Sequence, residues 1–141
     1  MAIEYRKPKS IDENLKYIEK VVEEISSINP DIIVLPEVFP VSGIGNYQFP
    51  YREGKQLMKE LSEKHKTYIA GSIHDKRKDG IYNTLYIFNR EGKVAGRYDK
   101  IHPTETEIKR GIIPGRKNQK IIKTELGKIG CQICFDANWY E

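Results

Sequence analysis

Apolar residues recur at Ile11, Leu15, Ile18, Val22 and Ile25, the spacing of one helical face. Ser10 followed by Glu13 is a capping-box pattern, so a helix is predicted over residues 11–27. Asn29-Pro30 stops it. Residues 31–35, Asp-Ile-Ile-Val-Leu, then form a continuous run of the kind found in strands buried on both faces. Glu37 is thereby placed just past the carboxyl end of a core strand, where open α/β sheets commonly hold functional groups.

Pro40, Gly43, Gly45 and Pro50 mark residues 39–50 as a loop, and Leu57, Met58 and Leu61 mark a second helix ending near Lys66. Strand-like alternation follows over residues 67–73, 84–89 and 94–98, with Arg90-Glu91-Gly92-Lys93 as a hairpin turn between the last two. Residues 102–116 hold two prolines and two glycines and are expected to cross the surface. Residues 119–124 and 128–134 should form another hairpin around Leu126-Gly127, leaving Cys134 at the end of a strand. Met1 to Tyr5 reads as the inside of a first strand. No repeat, low-complexity tract or linker divides the chain, so residues 1–141 are read as one domain.

Composition narrows the class. Hydrophobic residues at 38% and charged residues at 31% fit a soluble globular chain rather than a disordered one. The net charge of +4 comes from 24 basic against 20 acidic residues, interleaved along the chain, which argues against a nucleic-acid partner. Lys76-Arg77-Lys78 and Lys109-Arg110 are the densest basic spots and read as solvated surface. No apolar stretch is long enough to cross a bilayer, and no targeting segment is visible. The two cysteines, Cys131 and Cys134, cannot staple distant parts of the chain, so a reducing cytoplasm fits best.

Three residues could carry chemistry. Cys134, at a strand end before a sharp turn, suits a nucleophile, although an inert buried cysteine is the plain alternative. A Cys131–Cys134 redox or zinc pair is disfavoured: residues three apart on a strand face opposite ways, and nothing else in the chain completes a metal site. Glu37, between Leu35-Pro36 and Val38-Phe39, is expected to be desolvated toward usefulness as a general base, or else simply to reach water. Lys100, ending the strand around Arg97-Tyr98-Asp99, could stabilise developing negative charge or be a solvated surface lysine.

Taken together, the motifs resemble the nitrilase superfamily of carbon–nitrogen hydrolases. They are Leu35-Pro36-Glu37 after an aliphatic strand, Tyr98-x-Lys100-x-His102, and Gly130-x-x-Ile133-Cys134-Phe135-Asp136, in the family's order and spacing. The resemblance implies an α/β (α+β) fold, the N-terminal part of a four-layer α-β-β-α sandwich. It implies Glu37 as base, Cys134 as nucleophile, Lys100 beside the tetrahedral intermediate and the Phe135 N–H as an oxyanion donor. Glu107, seven residues after Lys100, matches a second glutamate used by many members. Cys-Phe-Asp looks like the amidase branches rather than Cys-Trp-Glu nitrilases, so the implied substrate is a small-molecule amide, with no cofactor or metal. The implied assembly is a homo-oligomer.

Tyr140 stands where the family commonly has proline, and the family fold continues past the position of Glu141. The chain is therefore expected to be C-terminally incomplete, completed by a carboxyl-terminal half in cis or in trans. Alone it is expected to self-associate and to be nearly inactive. Two other readings stay open: a non-catalytic binding or assembly partner, and a glutaminase portion feeding ammonia to a synthetase.

Overall fold

The structure, a computed structural model, describes residues 10–41 and 50–139. The expected first strand around Met1 to Tyr5 and most of the loop before Pro50 lie outside these residues.

Helix α1 spans Ile11–Ser26, and the Ser10 hydroxyl accepts the Glu13 N–H at 3.1 Å, satisfying one of the donors a helix start leaves open. Its apolar stripe of Leu15, Ile18, Val22 and Ile25 faces the core. Strand β1, Ile32–Val34, follows, and then helix α2, Tyr51–His65, which ends on Lys66 in the left-handed region. Strands β2, Tyr68–Arg77, β3, Gly80–Phe88, and β4, Val94–Asp99, complete a sheet of order β1-β2-β3-β4. The β1–β2 pair is parallel and the other two pairs are antiparallel.

Strand alternation gives this sheet two different faces. Ile33, Ile69, Ile73, Tyr86 and Phe88 pack against Val22, Met58 and Leu61 of the two helices. Met58 and Leu61 are almost wholly buried there, worth roughly 1.5–3 kcal/mol each relative to exposure. On the other face Tyr68, Ala70 and Ile87 pack against Ile122 of a separate hairpin, β5, Ile122–Thr124, and β6, Gly127–Ile129. Gly96 permits this approach, because a Cβ there would lie 2.6 Å from Ile122 carbons. The register that pairs His74 with Asn83 puts both on this second face, away from the helices.

Several expectations are corrected. The run 31–35 is not buried on both faces, because Val34 is 68% exposed on the side opposite the helices. Strands β2 and β3 are longer than predicted, since Gly80 at φ 145° closes a turn between Arg77 and Ile81 that the charged run Lys76-Arg77-Lys78 obscured. Arg77 is not solvated surface: its guanidinium binds Asp75 and forks onto both oxygens of Asp99. The crossing segment 102–116 contains a short helix, α3, Glu105–Lys109. Strand β6 ends at Ile129, so Cys134 does not end a strand; it opens a 3₁₀ turn, Cys134–Asn138. The Asp136 carboxylate takes the Ile133 N–H that would otherwise extend the ladder. No helix among the described residues is long and apolar enough to cross a membrane.

Candidate active site

Glu37 leaves the end of β1 through a chain held by the Leu35 N–H on the Ala70 carbonyl at 2.7 Å. The next residue, Val38, has φ 41°, a region that a β-branched side chain rarely adopts. The Ser72 hydroxyl of β2 accepts the Val38 N–H at 2.8 Å and holds this bend. Glu37 thus turns back over the face of the sheet opposite α1 and α2, the face that carries Asn83.

Lys100 follows the last residue of β4 and is only 1% exposed. Its N–H reaches the Asn83 carbonyl at 2.9 Å, and its carbonyl accepts the Gly115 N–H at 2.8 Å, so the backbone is held on both sides. The ammonium lies 2.7 Å from Glu37 Oε1 and 2.8 Å from Glu107 Oε2. Burial opposes its charge, but the hydrogen bonds to Glu107 and Glu37 outweigh burial and hold the lysine above its ordinary range.

Glu107 reaches the same ammonium from α3, where it is also the third residue of a capping box. Its Oε2 accepts the Thr104 N–H at 2.8 Å while the Thr104 hydroxyl accepts the Glu107 N–H at 3.3 Å. Burial would favour the neutral acid, yet the bonds from Lys100 and Asn83 prevail and keep the carboxyl below its usual range. Asn83 links the two glutamates, donating to Glu37 Oε1 and to Glu107 Oε1 at 2.9 Å each. Glu37 therefore sits in polar company rather than among the apolar residues flanking it in sequence, and its side chain is 32% exposed.

Cys134 has φ 45°, so its turn projects the side chain sharply out of the chain path. The Glu37 carboxylate and the Lys100 ammonium both lie within electrostatic reach of its thiol. Burial, and then the neighbouring Glu37 charge, push the thiol above its usual range, so the resting group is S–H rather than thiolate. Asp136 secures the turn: its carboxylate accepts the Ile133 N–H at 3.0 Å, the His102 N–H at 2.8 Å and the Tyr98 hydroxyl at 2.8 Å. Phe135 follows Cys134 within the turn, with its ring partly exposed.

The structure thus brings together Glu37, Lys100, Glu107 and Cys134, residues spread from just past β1 to the 3₁₀ turn. Cys131 stands apart, half-buried against the apolar cluster of β5 and β6, where burial raises its thiol. The two cysteines are separated by environment and not by opposite faces of a strand. No group of three or more metal-binding side chains suited to an ion occurs among the described residues. From sequence, Asp136 is named only as part of the Cys134 motif, and Asn83 is given no role. A threonine and a glutamate three apart at Thr104 and Glu107 was a readable capping signal, whereas the partners of Asn83 lie 46 and 24 residues away.

Known proteins resemble this chain in sequence, and solved structures resemble it in fold. The chain is 29% identical over 147 residues to a chloroplastic omega-amidase of Arabidopsis thaliana, covering 91% of this chain and 40% of the relative. It is 32% identical over 145 residues to 2-oxoglutaramate amidase of Bacillus subtilis, covering 99% and 54%. The crystal structure of a carbon-nitrogen hydrolase from Helicobacter pylori superposes with a TM-score of 0.81 at 24% identity, over 96% of this chain and 50% of that one. The chain spans about half the length of the proteins it matches. The sequence model described as Carbon-nitrogen hydrolase matches residues 1–141, and the chain belongs to that family.

Proposed function

We propose that these residues hydrolyse the amide of a small molecule to a carboxylate and ammonia or an amine, through a thioester on Cys134. The observation that carries this reading is the Glu37 carboxylate held at 2.7 Å by the buried ammonium of Lys100, with the Cys134 thiol within electrostatic reach of both charges. A thiol that rests protonated needs a base within reach, and we assign that role to Glu37.

In the first step the Glu37 carboxylate takes the S–H proton as sulfur attacks the carbonyl carbon. The C=O pair moves onto oxygen, and the oxyanion is met by the Lys100 ammonium and the Phe135 N–H. The C–N bond then breaks, the nitrogen leaves with the proton held by Glu37, and the thioester remains. Water, deprotonated by Glu37, attacks the thioester; the C–S bond breaks and the proton returns to sulfur. Glu107 keeps Lys100 oriented between the two carboxylates throughout.

An amide rather than a nitrile is supported by Cys134-Phe135-Asp136 and by relatives that are amidases acting, by name, on omega-amides and 2-oxoglutaramate. A cytoplasmic setting is supported by two free cysteines, and a homo-oligomer and a complementing carboxyl-terminal half by the family resemblance. The test is trapping: the intact protein, given an electrophilic amide analogue, should carry the adduct on Cys134, and Cys134→Ala should abolish both adduct and turnover. Modification confined to Cys131, or full turnover by Cys134→Ala, would overturn the reading.

A further inference from the structure

Among the described residues, Asn83 is the one whose hydrogen bonds reach all three charged members of this site. Its carbonyl accepts the Lys100 N–H, and its side-chain nitrogen donates to Glu37 and to Glu107, each at 2.9 Å. It is 1% exposed. An amide nitrogen has two protons, and here each carboxylate takes one. The reversed amide would aim its oxygen at two anions, so the network fixes the orientation. In the orientation found, Oδ1 is buried without a hydrogen-bond partner among the described residues. An acceptor is left unsatisfied so that both donors can point at carboxylates, which packing alone does not explain.

The distribution over the glutamate oxygens gives the consequence. Lys100 and Asn83 both bond Glu37 at Oε1. Neither occupies Oε2. On Glu107 the load is split, with Asn83 on Oε1 and Lys100 on Oε2.

We propose that Asn83 is a positioning residue: by pinning Glu37 through Oε1 it stops the carboxylate from turning both oxygens onto Lys100, and it reserves Oε2 for the proton of Cys134. This rests on the amide-hydrolase reading, with Glu37 as base. The groups facing that base are Lys100 after β4, Asn83 on β3, Glu107 on α3 and Cys134 in the 3₁₀ turn. His74 on β2 lies within electrostatic reach of Glu107, Glu37 and Lys100, and Arg110 within reach of His74.

Asn83→Leu removes both donors while keeping the branched side-chain skeleton, and Asn83→Asp replaces them with a third carboxylate. In the intact protein each should lower kcat by about 100-fold, the scale of a misplaced catalytic group, with KM little changed. The acid limb of the kcat/KM profile should move to higher pH in both, further in Asn83→Asp, because a carboxylate losing a donor or gaining an anionic neighbour holds its proton more tightly. A folded variant with the wild-type profile would overturn the proposal. If neither variant folds, the side-chain amide protons of Asn83 in the unmutated protein decide by NMR. They should exchange slowly and shift in Glu37→Gln, and amide signals like those of exposed asparagines would equally overturn it. Cys134→Ala separates the two readings: retained turnover there defeats amide hydrolysis by this site and leaves the placement of Asn83 to be judged on the amide signals.

Discussion

Lys100 Nζ lies 2.7 Å from Glu37 Oε1, although 63 residues separate the two in sequence. A single ammonium stands between two carboxylates at this point, and it is buried while one of its partners reaches solvent. The lysine is therefore a structural element of the fold as well as a member of the candidate site.

Replacing Lys100 with methionine should be severe on both counts. It leaves Glu37 and Glu107 facing each other without a cation, and breaking a buried pair of this kind costs about 3–5 kcal/mol. Loss of the charge beside the oxyanion should lower turnover by a further ~100-fold to 1,000-fold. Urea unfolding and single-turnover kinetics on the same preparation would check both. A stable variant with wild-type turnover would exclude Lys100 from either role.

His74, buried on the site face of β2, gives a pH dependence of stability. Burial is the main cause that pushes its imidazole down to about 4, so the folded protein holds it neutral where the unfolded chain protonates it. Its contribution is fully present above the ordinary imidazole range. It is lost progressively as pH falls from that range to about 4, by roughly 3 kcal/mol at most. Urea midpoints at about pH 7 and about pH 5 should differ less in His74→Gln than in the unmutated protein. Equal differences would mean that another group sets the slope.

Gly115 is predicted to act on the site from outside it. A Cβ at this position would lie 2.3 Å from the Asp99 carbonyl oxygen, a clash with backbone that cannot swing aside. Gly115→Ala should cost about 1–3 kcal/mol. Because the Gly115 N–H holds the Lys100 carbonyl, turnover should fall even where the variant is fully folded. Thermal melting combined with activity well below the melting temperature separates the effects, and unchanged activity would show that this strap is dispensable.

Asp136 tests whether the thiol needs its turn. Asp136→Ala strands the donors of Tyr98, Ile133 and His102, each costing about 1–3 kcal/mol where buried. The milder Asp136→Asn should fold, yet it should lose at least ~10-fold in the alkylation rate of Cys134, since a displaced reacting atom is costly. Alkylation of Cys131, in a different environment, should be unaffected. Equal changes at both cysteines would indicate general loosening instead.

What could be read in the sequence depended on how local its causes are. Helix α1 was legible because its cap and its apolar stripe lie within the segment itself, and β1 because a run of branched aliphatics has few other uses. Helix α3 was missed because five residues are too few to show a period, and because the prolines and glycines around it dominate the local pattern. The turn at Cys134 was hidden for a different reason. Residues 128–134 do alternate like a strand, but the Asp136 carboxylate captures the Ile133 N–H and bends the chain. In the site, Glu37, Lys100 and Cys134 stand out by motif, whereas Asn83 looks like any polar residue in a strand until the fold brings its partners to it.

The left-handed backbone at Cys134 also bears on how such a protein can change over generations. A side chain with a Cβ pays roughly 1–2 kcal/mol to sit there, and glycine would not. Variants scored only for heat resistance or yield should therefore drift toward glycine at position 134, gaining robustness while the thiol disappears. Val38, at φ 41°, carries the same temptation next to Glu37. A lineage that keeps both residues against that gradient is one in which something other than folding is being selected.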